Sequence, residues 1–116
     1  METPEESQYE VIITDPAEMA FYEILEYLYE YYEIERAEEI ADEIRDTAKS
    51  LHYQAERGSP EPNLQHRKED YRFILYQRTS RSEVKIIYNV DENRKTVYVT
   101  DFFPTEKDDC QIARRS

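Results

Sequence analysis

The chain alternates between stretches with the apolar spacing of helices and stretches with the two-residue spacing of strands. From Asp15 onwards, apolar side chains recur at intervals of three and four residues, which predicts an amphipathic helix. We expect Asp15 to cap this helix, with Pro16 at its first position and Glu18 completing a capping box. The pattern restarts at Glu35 and predicts a second helix as far as Tyr53. Because the break between them is short, the two helices should form an antiparallel hairpin.

Strand patterns lie on both sides of this helical hairpin. One short run, YEVIIT, precedes it, and three longer runs follow it: YRFILYQR, EVKIIYNV and KTVYVTDFF. The connections TSRS and DENRK have hairpin length, so these three strands should form an antiparallel meander. In the last strand, alternation places Asp101 on the face of Val97 and Val99, and Phe102 on the opposite face. The order β-α-α-β-β-β predicts an α+β fold, with the helices on one face of a small, mostly antiparallel sheet.

The length of 116 residues corresponds to a single domain. We divide the chain into a disordered lead-in (1–8), one domain (9–109) and a C-terminal tail (110–116). A single cysteine cannot form an internal disulfide, which favours a reducing compartment and a cytoplasmic location. No apolar run is long enough to span a membrane. The sequence has no metal-ligand spacing and no phosphate-binding loop motif, so we predict neither metal nor cofactor.

Charge is distributed unevenly along the chain. The net charge is −12, yet residues 1–63 carry 18 acidic and 4 basic side chains, whereas residues 64–99 carry 5 acidic and 8 basic ones. Because phosphate binding depends on basic side chains, any anionic target must contact the second half. The candidate target-binding residues are Arg67, Lys68, Arg72, Arg78, Arg81 and Lys85. Their alternation allows Arg72 and Lys85 to share the open face of the sheet. Alternatively, these cations are solvent-facing strand residues that pair with helix carboxylates or keep the sheet edges soluble.

Five tyrosines between Tyr22 and Tyr32 exceed what one helical stripe can bury. Some must therefore be exposed, and tyrosine is enriched at protein interfaces. We take Tyr22, Tyr29 and Tyr32 as candidate partner-binding residues, in contact with another protein or with a second copy of the chain. The alternative is that the tyrosines cover the core.

Four stretches, in their order along the chain, resemble the RelE/ParE superfamily of bacterial type II toxins, also called plasmid stabilisation proteins: YEVIITDPAEMAFYEILEYLYEYY, AEEIADEIRDTAKSL, YRFILY and VKIIYNVDENRKTVYVTDFFPTE. The resemblance covers about Tyr9 to Asp109. It implies the β-α-α-β-β-β order and a toxin that a cognate antitoxin neutralises with its tail. The spacing of the acidic residues on the helix faces favours a solvated surface, and the alternatives are that these faces mimic nucleic acid or attract a basic antitoxin tail.

The two main branches of this superfamily differ in their targets. RelE-like members cut messenger RNA on the ribosome with basic residues and often a tyrosine, whereas ParE-like members act on DNA gyrase. The resemblance makes Arg72, Lys85 and Lys107 the candidate catalytic residues of a metal-independent endoribonuclease. However, FPTEKDD replaces the Lys-Arg-rich run of RelE, and no tyrosine follows Tyr98. These departures favour a ParE-like toxin that acts by binding. A decayed, non-toxic binding module is the third alternative.

Overall fold

The computed structural model describes residues 8–79, 82–106 and 112–113, in which two helices pack on one face of a five-stranded mixed sheet. The elements in chain order are β1 (Glu10–Ile13), α1 (Asp15–Tyr31), α2 (Ile34–Lys49), β2 (Ser59–Pro60), β3 (Arg72–Thr79), β4 (Ser82–Asp91) and β5 (Thr96–Pro104). The predicted α+β class is confirmed. Strand β2 is an addition to the predicted order β-α-α-β-β-β. Among the described residues, no helix has the length and apolar character needed to cross a membrane.

The strands lie in the order β1-β5-β4-β3-β2. Strands β3, β4 and β5 pair antiparallel, so the predicted meander is confirmed. Strand β1 pairs in parallel with β5, with Ile12 opposite Tyr98. The first and last strands are therefore neighbours, and periodicity could not predict this because it assigns faces and leaves neighbours open.

The main core fills the space between the helices and the sheet. Its largest fully buried members include residues of both helices and of the meander: Leu28, Ile40, Ile44, Ile86, Tyr88 and Phe102. Burying a side chain of this size stabilises the fold by about 1.5–3 kcal/mol. Alanines alternate with these large residues on α2, at Ala37, Ala41 and Ala48, and leave room for the helix to approach its neighbours.

A β-bulge in β5 changes which of its residues enter this core. Ile87 is opposite Asp101 while Tyr88 is opposite Val99, so Thr100 is the additional residue. The Thr100 hydroxyl donates to the Ile87 carbonyl over 3.3 Å. The predicted grouping of Val99 with Asp101 is wrong because the bulge breaks the alternation. Phe102 consequently joins Val99 in the main core.

Helix α1 begins one residue earlier than the capping pattern predicts. Thr14 is the N-cap, and its hydroxyl oxygen accepts from the Ala17 N–H over 3.4 Å. Asp15 and Pro16 therefore occupy the first two helical positions, where a carboxylate and a proline are both favourable. The Thr14 hydroxyl also donates to the Val99 carbonyl, which ties the start of α1 to β5.

Helix α2 ends at Lys49, four residues before the predicted end, and continues as a 3₁₀ turn from Ser50 to His52. The Arg57 guanidinium donates to the carbonyls of Ser50 and Tyr53 and to the Ser50 hydroxyl. These bonds satisfy carbonyls that a longer helix would have used internally, so the chain can turn at this point.

Substitution of Gly58 by alanine should lower the free energy of unfolding by about 1–3 kcal/mol, the usual cost of overpacking. The Gly58 N–H donates to the buried Tyr88 hydroxyl over 2.9 Å. A Cβ atom would lie 2.5 Å from that hydroxyl and 2.7 Å from the Phe73 carbonyl. Urea denaturation measures the effect, with Ser59→Ala at the exposed neighbouring position as the control. Equal stability of the two variants would contradict the close packing at Gly58.

Candidate functional site

Lys85 lies on the sheet face opposite the helices, where its ammonium group is nearly buried. It donates to the Glu61 carboxylate over 3.0 Å, and the side chains of Lys85 and Glu61 are 11% and 0% exposed. The ammonium also lies 4.6 Å from the centre of the Phe73 ring, a cation–π distance. The positive charge at the centre of this face is therefore neutralised within the protein.

The other oxygen of the Glu61 carboxylate organises the loop that follows β2. It accepts from the Asn63 backbone N–H and side-chain amide, each over 2.9 Å. The Glu61 carbonyl accepts from the Gln65 amide over 3.2 Å. Because all of these groups belong to one loop, the ion pair with Lys85 attaches the whole loop to the sheet.

A small second core covers this part of the sheet. It consists of Leu64 from the loop, Ile87 and Phe103 from the strands, and Ile112 from the C-terminal segment, with Tyr71, Phe73 and Ala113 packed around them. Arg67 donates to the Ala113 carbonyl over 3.0 Å. The segment predicted as a tail thus supplies a fully buried side chain, Ile112, and the sheet face at this end is covered.

Arg72 lies on the other face of the sheet from Lys85. It is opposite Tyr88, a member of the main core, whereas Lys85 is opposite Leu75. The expectation that Arg72 and Lys85 share the open face is wrong, because residues opposite each other in an antiparallel pair point to the same side. Both cations are in strands, as predicted, but they cannot act together on one ligand from opposite faces.

The Arg72 guanidinium holds together the segment that leads into β2. It donates to the carbonyls of Glu56 and Gly58, over 3.1 and 2.9 Å, and forms an ion pair with Asp70 over 3.1 Å. Three of its contacts are therefore structural. A phosphate could be bound there only in competition with them.

The remaining candidates do not form a described cluster. Arg67 contacts the C-terminal segment, as given above, and Lys68 is exposed on the same loop. The side chain of Arg78, and Arg81 and Lys107 as a whole, lie outside the described part of the chain. Within that part, no group of three or more histidine, cysteine or acidic side chains is arranged to hold a metal ion.

A cluster of titratable groups lies at the end of the sheet where β1 begins. The Tyr9 hydroxyl donates to the Glu92 carboxylate over 2.9 Å, and burial together with this bond raises the pKa of Tyr9 to about 12. Hydrogen bonds from Glu56 and Tyr9 lower the pKa of Glu92, and the hydrogen bond to Glu92 raises the pKa of Glu56. These opposite pKa shifts show that the two carboxyl groups interact with each other. Both carboxyl groups are exposed, which indicates a surface link between the segment before β2, which carries Glu56, and the turn after β4, which carries Glu92.

The predicted partner-binding tyrosines occupy different environments. Tyr22 and Tyr29 are 53% and 42% exposed, while Tyr32 is half-buried against the main core. Tyr32 therefore fits the alternative in which tyrosines cover the core. Tyr22 and Tyr29 remain candidates for a protein contact.

Sequence reasoning missed Glu61. The sequence shows a charged residue between two prolines, but no pattern in it indicates that this loop faces the strand that carries Lys85. Glu61 belongs to the acidic first half of the chain, and only the folded path of the loop brings it to Lys85. The loop fold is a tertiary property that local patterns do not report.

Comparison of the chain with protein-family models, with curated proteins and with solved structures gives no match in any of the three.

Replacing Glu61 by glutamine should lower the free energy of unfolding by about 3–5 kcal/mol, because it leaves the Lys85 ammonium buried without a counter-charge. Lys85→Met should cost a similar amount, since it isolates the carboxylate. The double variant should recover most of the loss, because replacing both members of a buried pair is often neutral. Urea denaturation of the wild-type protein, the two single variants and the double variant measures these differences as a double-mutant cycle.

The control is the exposed ion pair between Arg36 and Glu39, at 2.7 Å. Glu39→Gln should change stability by less than about 1 kcal/mol, because exposed pairs contribute little. A Glu61→Gln variant as stable as Glu39→Gln would show that the Glu61 carboxylate is not buried in solution.

Proposed function

We propose that this protein is a toxin of the RelE/ParE type, located in the cytoplasm, which arrests growth by binding a protein target and is neutralised by a cognate antitoxin. The ordered sequence resemblance supports the superfamily, and the α+β architecture agrees with the element order that it implies. Within the superfamily we favour the ParE-like branch, whose target is DNA gyrase, over the RNA-cleaving branch.

The observation that carries this choice is the internal use of the two strand cations. Cleavage of RNA without a metal needs accessible positive charge where the phosphorane develops. The Lys85 ammonium is bound to Glu61 in a nearly buried pair, and the Arg72 guanidinium holds two backbone carbonyls on the opposite face. Neither cation can stabilise a phosphorane without giving up these contacts. A net charge of −12 further opposes the approach of nucleic acid.

The sheet face that carries Lys85 is only partly covered by the second core, and the rest of this face presents uncharged side chains. Ile12, Tyr98 and Asn89 lie side by side in β1, β5 and β4. Ile12 is exposed, and Tyr98 and Asn89 are half-buried. A row of one aliphatic, one phenolic and one amide side chain suits a protein surface better than a phosphate backbone, because interfaces favour aromatic and apolar contacts with few charges.

Inducible expression in a bacterial host should stop growth while messenger RNA stays intact by primer extension. The purified protein should inhibit DNA supercoiling by purified gyrase. Ile12→Glu should raise the concentration needed for half-inhibition about tenfold or more, because it places a charge in the uncharged row. Ile34→Glu, at an exposed isoleucine of the helical hairpin, is the matched control and should leave inhibition unchanged.

Ribosome-dependent cuts in messenger RNA would contradict this proposal and assign the protein to the nuclease branch. Normal growth at full expression would favour the decayed, non-toxic binding module. Equal inhibition by the wild-type protein and the Ile12→Glu variant would show that the sheet face does not contact the target.

A further inference from the structure

Helix α1 leaves a row of large side chains uncovered on its outer side. Met19, Tyr22 and Tyr29 are 66%, 53% and 42% exposed. Their spacings of three and seven residues place them on one side of the helix, with Glu26 between the two tyrosines. We call these four residues the α1 stripe. Anchors spaced in this way are typical of a helix that binds in the groove of a partner or receives a partner helix.

Each tyrosine of the α1 stripe contacts a neighbouring side chain. The Tyr29 hydroxyl donates to the Glu38 carboxylate of α2 over 3.1 Å. The Tyr22 ring meets the edge of the Phe21 ring at a centroid distance of 6.1 Å, and the Arg45 guanidinium covers that Phe21 ring at 4.4 Å. These contacts favour one orientation of each ring, which reduces the side-chain entropy lost on binding.

The charge around the α1 stripe selects among possible partners. Residues 15–49, which include both helices, carry 12 acidic and 3 basic side chains. One of these bases, Arg36, is paired with Glu39, and another, Arg45, lies over Phe21. The resulting negative field repels nucleic acid and a second copy of this acidic chain, and it attracts lysine and arginine. Exposed tyrosine faces also bind such cations directly.

We propose that the α1 stripe, together with Glu38, docks a basic amphipathic helix of another protein, with its cations on Glu26 and Glu38 and its apolar side on Met19 and the tyrosine rings. Resting on the function proposed above, this helix belongs to the cognate antitoxin. The antitoxin segment is then positively charged and contacts the helical hairpin.

Binding can be measured with a synthetic amphipathic helix that has lysines on one side and leucines on the other. The comparison peptide has the same composition in a scrambled order, so that only the pattern differs. Fluorescence anisotropy gives the dissociation constants, and amide chemical shifts map the contact. The amphipathic peptide should bind about tenfold or more tightly than the scrambled one, because only its apolar side can cover the anchor residues.

The variant Tyr22→Ala/Tyr29→Ala should weaken binding of the amphipathic peptide about tenfold or more. The matched control is Tyr31→Ala. Tyr31 is 64% exposed on the same helix, but its position in the helical repeat places it on the side opposite Tyr22. The control should bind as the wild-type protein does. The variant Glu26→Gln/Glu38→Gln should weaken binding and reduce its salt dependence.

Two results would overturn this proposal: equal binding of the two peptides, or equal weakening of binding by Tyr31→Ala and by Tyr22→Ala/Tyr29→Ala. Either result would show that net charge alone attracts the peptide. The outcome is separable from the proposed function. Normal growth on expression, with the peptide pattern intact, would overturn the toxin role and leave the docking surface supported. Growth arrest without the peptide pattern would overturn the docking surface alone.

Discussion

The contact between the Lys85 ammonium and the Glu61 carboxylate determines how one face of the sheet is built. Glu61 is fully buried, and its carboxylate is saturated by Lys85 and by both amide groups of Asn63. An isolated buried charge is costly, so each partner requires the other. The pair fixes the loop after β2 on the sheet, and Leu64 of that loop then completes the second core with Ile87, Phe103 and Ile112.

This arrangement changes what the positive charges mean for function. A basic strand residue in an acidic protein suggests a site for anions, yet here the cation neutralises an internal carboxylate. Arg72 has a comparable role on the other face, where it holds the backbone at Glu56 and Gly58. The described residues also present an uncharged row on the sheet and an acidic, tyrosine-bearing side of the helical hairpin. These two surfaces support the proposal that the protein acts by binding other proteins.

Periodicity predicted the helical hairpin and the meander because each buries a stripe or a face whose spacing is visible along the chain. The same reasoning failed at Thr100, where one additional residue reverses the alternation and brings Phe102 into the main core. It also could not pair β1 with β5 or bury Ile112, since these contacts join residues far apart in the sequence. For the site, the charge pattern indicates the candidate cations Arg72 and Lys85. Their partners Glu56, Gly58 and Glu61 lie in loop segments on either side of β2, whose folded path no local pattern encodes.

The most direct test of the internal role of Lys85 is NMR detection of its side-chain ammonium group, with and without a short single-stranded RNA. The structure predicts an ammonium signal that is protected from solvent exchange and does not shift when the RNA is added. This protection should require the Glu61 carboxylate. A rapidly exchanging signal that shifts when RNA is added would contradict the account, because it would show that Lys85 is free to bind phosphate.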